Sequence, residues 1–252
     1  MHLYYQSQGQ GHPLIIIHGL FGSSDNWRSM AKYFSKWFTV INVDLRNHGR
    51  SFHADSQRFD EMANDIYQLC QHLSFSKVHL LGHSLGGKTA MKLTELYPDL
   101  VNKLIVVDVA PRQYHGAHTP MMDAMLALDF NHLSSRSDVD KALAEKIPDK
   151  AVRQFLMMNL VSEDETFKWR INLPALKANY IEYMKPVCEG VILDHNSLFI
   201  YGDQSDYVSE ADRKDIETRF TNSHFQALPT GHWVHAERPQ QFKRCVEAFL
   251  ND

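Results

Sequence analysis

A chain of 252 residues suits one large α/β domain and is too long for a small binding module. Hydrophobic residues make up 44% and charged residues 22%, the balance of a globular chain with a full core, which excludes a disordered or fibrous protein. Lys and Arg total 26 against 30 Asp and Glu, a net charge of -4 with no basic run, so nucleic acid is not an expected partner.

The amino terminus, Met1-His2-Leu3-Tyr4-Tyr5-Gln6, has no cationic start and no long apolar run, so a secretory leader is not expected. The apolar run 14–17 ends at His18-Gly19 and reads as a buried strand, far short of a membrane span. Residues 39–45 read as a second strand. Phe59, Met62, Ala63, Ile66, Leu69 and Leu73 follow the spacing of a helix lying on a sheet. A strand over 78–81, a helix over 85–97 stopped by Pro98, and a strand over 104–107 complete the first part. Strand and helix in this alternation predict a mostly parallel central sheet flanked by helices.

The alternation breaks between Pro111 and Pro186. Helix-forming runs at 121–128, 139–146, 151–160 and 174–184 occupy this stretch, with no convincing strand. It then resumes with a strand over 197–201, a helix opened by Ser209 with Asp212 three residues on, a strand over 224–228, and a last helix starting at Pro239. Residues 1–110 and 187–252 are therefore expected to form one core, with 111–186 inserted as a helical cap. Cys70, Cys188 and Cys245 are odd in number and irregular in spacing, which predicts reduced thiols in a cytoplasmic protein.

Gly82-His83-Ser84-Leu85-Gly86 fits G-x-S-x-G between a strand and a helix. A serine on such a turn is pushed off the sheet edge, and the helix start brings the Leu85 amide beside it. A serine hydroxyl is a weak nucleophile at neutral pH and needs a base. His232, in Gly231-His232-Trp233-Val234-His235, follows the last apolar strand and so lies on the carboxyl edge where Ser84 emerges. His235 is the competitor. A metal site built on His232 and His235 lacks a carboxylate or cysteine at ligand spacing, so neither metal nor cofactor is expected. The loop His18-Gly19-Leu20-Phe21-Gly22 supplies a second backbone donor, Leu20 N–H, to complete an oxyanion hole with Leu85 N–H. Phe21, Trp233, Met121 and Met125 are candidates for the substrate pocket.

These motifs resemble the α/β-hydrolase superfamily over essentially the whole chain. The nearer resemblance is to bacterial YbfF-type esterases and mammalian abhydrolase-domain proteins. It rests on residues 18–23, Asp44-Leu45-Arg46-Asn47-His48-Gly49-Arg50-Ser51, residues 81–87 and 231–237. The resemblance implies a serine esterase acting on short acyl esters and acyl-thioesters such as acyl-CoA, a small-molecule substrate with no membrane partner. Most of the superfamily keeps its acid in a stretch like Gly202-Asp203-Gln204-Ser205-Asp206-Tyr207-Val208, but here Ser205 holds that place. Some members, YbfF-type relatives included, take the acid from the preceding strand, which points to Asp108, with Ser205 as an auxiliary. Asp203 and Asp206 stay open as alternatives. The same triad would also serve a carbon-carbon bond hydrolase or a cofactor-free perhydrolase, and a ligand receptor could keep the fold without catalysis. Oligomeric state is not encoded in any motif.

Overall fold

The computed structural model describes residues 3–116, 118–163 and 166–252. Its first elements are strand β1 (Tyr5–Gln8), strand β2 (His12–Ile17), helix α1 (Arg28–Phe34), strand β3 (Phe38–Val43) and helix α2 (Phe59–His72). Strand β4 (Val78–His83), helix α3 (Leu85–Leu96) and strand β5 (Val101–Val107) follow. β1 and α1 carry no strong sequence signal, and β3 stops two residues short of the expected 45.

Among the described residues the sheet has seven strands, and β1 pairs antiparallel on the edge beside β3. Each strand feeds its two faces by alternation. Ile15, Ile17, Leu80, Leu104 and Val106 pack with α2 and α3, whereas Leu14, Ile16, Leu81, Ile105 and Val107 pack with α1 and the C-terminal helix. β3 lies on one side of β2 and β4 on the other. The winding therefore changes direction at β2, and the loops after β2 and β4 part to leave a crevice at the carboxyl edge.

Between β5 and the next sheet strand lie helices α4 (Thr119–Leu126), α5 (Arg136–Ala144) and α6 (Lys150–Met157), strands β6 (Leu160–Glu163) and β7 (Thr166–Trp169), and helices α7 (Leu173–Ala178) and α8 (Tyr180–Met184). The antiparallel β6–β7 ribbon corrects the all-helical expectation for 111–186. The helix expected to reach residue 160 ends at Met157, and the chain turns at Met158-Asn159, where both the N–H and the side-chain amide of Asn159 donate to Leu156 C=O. Trp169 and Phe167 alternate with polar neighbours, and the Trp169 indole N–H donates to Met125 C=O at 3.0 Å. β7 has the alternation of a strand in Thr166-Phe167-Lys168-Trp169, but its partner β6, Leu160-Val161-Ser162-Glu163, has none, so the sequence does not mark the pair.

The sheet resumes with strand β8 (Asn196–Gly202), helix α9 (Glu210–Arg219), strand β9 (Ser223–Leu228), helix α10 (Val234–Glu237) and helix α11 (Pro239–Asn251). The Ser209–Asp212 capping box opens α9: Asp212 N–H donates to Ser209 Oγ, and the Asp212 carboxylate accepts Ser209 N–H. Among the described residues no helix is long and apolar enough to cross a membrane.

Candidate active site

Register sets the site. β4 pairs His83 with Val107 of β5, and β5 pairs Val107 with Ile200 of β8. The next residues, Ser84 and Asp108, therefore leave the sheet side by side. Ser84 N–H still donates to Val107 C=O at 2.9 Å, and Asp108 N–H to Ile200 C=O at 2.8 Å. Both then turn into the left-handed region, with φ 52° and 50°, a conformation that side chains disfavour and that concentrates at functional sites.

Ser84 is the residue before α3 and is partly exposed. The sharp turn is possible because its flanks lack side chains. A Cβ on Gly82 would lie 2.2 Å from Gly86 O, and one on Gly86 would lie 2.4 Å from Ile17 O. As the first residue of α3, Leu85 has an N–H without an intrahelical acceptor.

Asp108 is buried with every carboxylate oxygen engaged. Its Oδ2 lies 2.7 Å from His232 Nδ1 and accepts Ser205 Oγ–H at 2.6 Å; its Oδ1 accepts Gly202 N–H at 3.0 Å. The side chains are 0% exposed for Asp108 and 27% for His232, so the pair runs from the interior to the cavity surface. Asp203 and Asp206 do not take this place. The backbone N–H of Asp203 donates to Leu228 C=O, and Asp206 lines the outer cavity with its carbonyl accepting from Arg112. Two groups that sequence reasoning passed over hold His232. Tyr207 stacks on its ring at 4.1 Å, and His83 Nε2–H donates to its carbonyl at 3.0 Å. His83 was legible only as the neighbour of Ser84, and Tyr207 only as part of the loop after β8.

The loop after β2 lies against the serine: a Cβ on Gly19 would stand 3.3 Å from Ser84 Cβ. Leu20 lines the cavity, and the neighbouring Phe21 N–H is occupied by His48 Nε2 at 3.2 Å. His18 Nε2 accepts Leu45 N–H at 3.0 Å. Both rings must stay neutral to accept. Burial lowers the His18 pKa to about 4 and, with the nearby His18, that of His48 to about 3.

The cavity over Ser84 has a volume of about 1030 Å³ and is walled by core loops and by the 111–186 segment. Phe21, Trp233 and Met121 line it. Met125 does not; this corrects the pocket assignment. Only the start of α4 reaches the cavity, and one turn on Met125 is 1% exposed in the core. His118, Phe155 and Met158 are unforeseen lining residues. Lys88, one turn after Ser84, also borders it, its pKa drawn down to about 7 by burial and then by Arg112. His235, the alternative base, stacks on Trp27 at 3.9 Å with its rings 14° apart, and burial takes its pKa to about 3.

Comparison with known proteins follows the same lines. Residues 12–239 match the family described as the alpha/beta hydrolase fold. Esterase YbfF of Escherichia coli is 34% identical over 250 residues, covering 98% of this chain and 96% of its own. The mouse sn-1-specific diacylglycerol lipase ABHD11 is 35% identical over 246 residues, covering 94% and 80%. A solved structure titled marine microorganism esterase superposes with a TM-score of 0.96 at 34% identity, covering 99% of both chains.

The buried neutral imidazoles make stability depend on pH with a fixed sign. A histidine whose folded pKa lies below its unfolded value, about 6.5, contributes fully above that pH and loses the contribution as pH falls toward the folded value. For His235 the loss at pH 5 is about 2 kcal/mol. The Tm of the protein is expected to fall between pH 7.5 and pH 5. In His235→Phe, which keeps the stack on Trp27, the fall should shrink by about 4–8 °C. Thermal melts at the two pH values check this, and an unchanged fall in the variant would sink it.

Proposed function

This chain belongs to the α/β-hydrolase family and is a hydrolase acting on ester bonds, and we propose that it works as a serine esterase and thioesterase through a Ser84–His232–Asp108 triad. The observation that carries the reading is the 2.7 Å contact between His232 Nδ1 and the buried Asp108 carboxylate, at the edge where Ser84 faces the same cavity. With Nδ1–H donated to Asp108, Nε2 is the nitrogen left to act as base.

In this reading His232 Nε2 takes the Ser84 hydroxyl proton as Oγ attacks the carbonyl carbon. The carbonyl π electrons move to oxygen, and the oxyanion accepts Leu20 N–H and Leu85 N–H. Collapse breaks the bond to the alkoxide or thiolate, which leaves with the proton from His232. Water then repeats the sequence on the acyl-enzyme, with His232 as base, and frees the acid and Ser84. Segment 111–186 acts as a cap, and Met121, Phe155 and Met158 give its cavity face an apolar character. The cavity volume leaves room for acyl groups beyond the shortest, which fits esters and acyl-thioesters, acyl-CoA included. A cytoplasmic setting fits the three unpaired cysteines.

Ser84→Ala is expected to lower ester turnover by on the order of 10⁴-fold or more and to abolish labelling by a fluorophosphonate, with the fold retained. Substantial hydrolysis by the purified variant would end the serine reading. A panel of simple esters and acyl-CoAs assayed on the wild type reads out the leaving group.

Asp108→Asn should favour the wrong imidazole tautomer and cost roughly 10⁴-fold in kcat, the loss such a change causes in serine proteases. Ser205→Ala removes one hydrogen bond to the same carboxylate and should cost about 1 kcal/mol, or roughly five-fold. Asp203→Asn and Asp206→Asn should stay near wild type. Steady-state kinetics on the four variants decide the acid, and a larger loss at 203 or 206 than at 108 overturns the assignment.

A further inference from the structure

The loop that carries Leu20 has one turn bond of its own, Gly22 N–H to Gly19 C=O at 3.0 Å, and is otherwise held from outside itself. Phe21 sits at φ 61°, a conformation unfavourable to an aromatic residue unless its peptide groups are tied down. Its N–H donates to His48 Nε2 at 3.2 Å, and its C=O accepts Asn159 Nδ2–H at 2.8 Å. His48 Nδ1–H donates to Arg46 C=O at 3.0 Å, which leaves Nε2 as the acceptor.

Asn159 belongs to the inserted segment, between α6 and β6, and is 3% exposed. Its Nδ2 also donates to Leu156 C=O at 3.2 Å, and its own C=O accepts Arg170 N–H at 2.8 Å, so the side chain is fixed from its own segment. The same segment reaches the other tie. Asn172 N–H donates to Asn47 C=O at 2.9 Å and Asn172 Nδ2–H to Asn47 Oδ1 at 3.0 Å, directly beside His48. The Phe21 C=O is therefore held by the insertion directly, through Asn159, and the Phe21 N–H by His48, whose chain neighbour Asn47 the insertion also contacts. The Leu20 N–H lies one peptide before the Phe21 N–H and two before the peptide that Asn159 holds, and a rotation at Phe21 displaces it.

We propose that Asn159 is a positioning residue for the oxyanion hole, through which the insertion sets the rate of the chemical step as well as the shape of the cavity. The inference rests on the reading of Leu20 N–H as an oxyanion donor. Donors to a transition state act only when preorganised, and small displacements of reacting geometry are costly in rate. Loss of the Asn159 bond should therefore appear in kcat and spare ground-state binding.

The test uses the full chain and p-nitrophenyl acetate, with active sites counted by fluorophosphonate so that kcat refers to competent enzyme. Asn159→Ala is expected to lower kcat on the order of ten-fold with KM within about two-fold. Affinity for a short alkylboronic acid, whose tetrahedral adduct on Ser84 puts an oxygen in the hole, should fall by the same factor. Asn159→Asp keeps the shape but sets a carboxyl against the Phe21 carbonyl. The protonated carboxyl donates and the ionised one repels, so the ratio of variant to wild-type kcat should rise as pH falls. A folded alanine variant with wild-type kcat, or with its loss in KM alone, overturns the proposal. If that variant does not fold, a flat pH ratio for Asn159→Asp overturns it instead. Failure of the underlying serine reading is seen separately, as hydrolysis by Ser84→Ala.

Discussion

The pairing of β4, β5 and β8 is the constraint on which the site depends. Because His83, Val107 and Ile200 are in register, Ser84 and Asp108 leave the sheet as adjacent residues. Each keeps one backbone bond to the neighbouring strand before it turns left-handed. Two strained residues side by side are stable only because parallel strands with fully buried flanks hold the backbone on both sides of the turn. Leu80, Leu81, Ile105 and Val106 provide that burial from both faces of the sheet. A shift of one residue in register would carry the carboxylate to the opposite face and separate the pair.

Around this pair the histidines divide into two kinds. His18, His48, His83 and His235 are buried, and their depressed pKa values keep them neutral ring systems that accept, donate or stack. They fix the loop after β2, the carbonyl of His232 and the packing of Trp27. His232 alone of this group is partly exposed, at the cavity surface, with Asp108 on one nitrogen. The difference is one of solvation. A ring buried without a counter-charge stays neutral and serves as scaffold.

The inserted segment is bound to the core through polar ties as well as apolar packing. Its buried residues Met122, Val139, Leu143 and Leu156 continue the core cluster that lies over α2 and α3. Asn159 and Asn172 then reach the loops after β2 and β3. Hydrogen bonds add direction to what apolar contact alone would leave free to slide. The insertion is thus oriented against the loops that border Ser84, not merely laid over them.

Much of this could be read from the chain itself, because the informative signals are local. Gly82 and Gly86 around Ser84 announce a turn that no residue with a Cβ could flank. The apolar runs before His18, Ser84, Asp108 and His232 place each at a strand's carboxyl edge, since period and length are properties of a few consecutive residues. What the sequence left open depends on contacts between distant segments. Three aspartates were candidates for the partner of His232, and only the register of β5 with β8 brings Asp108 to 2.7 Å while the other two stay in the following loop. The β6–β7 ribbon brings the Trp169 indole N–H to Met125 C=O of α4, and the Met125 side chain is buried in the core cluster. Asn159 stands 138 residues from Phe21. No local pattern marks such a pair, because a side chain amide finds its carbonyl only after the sheet and the insertion have set their relative positions.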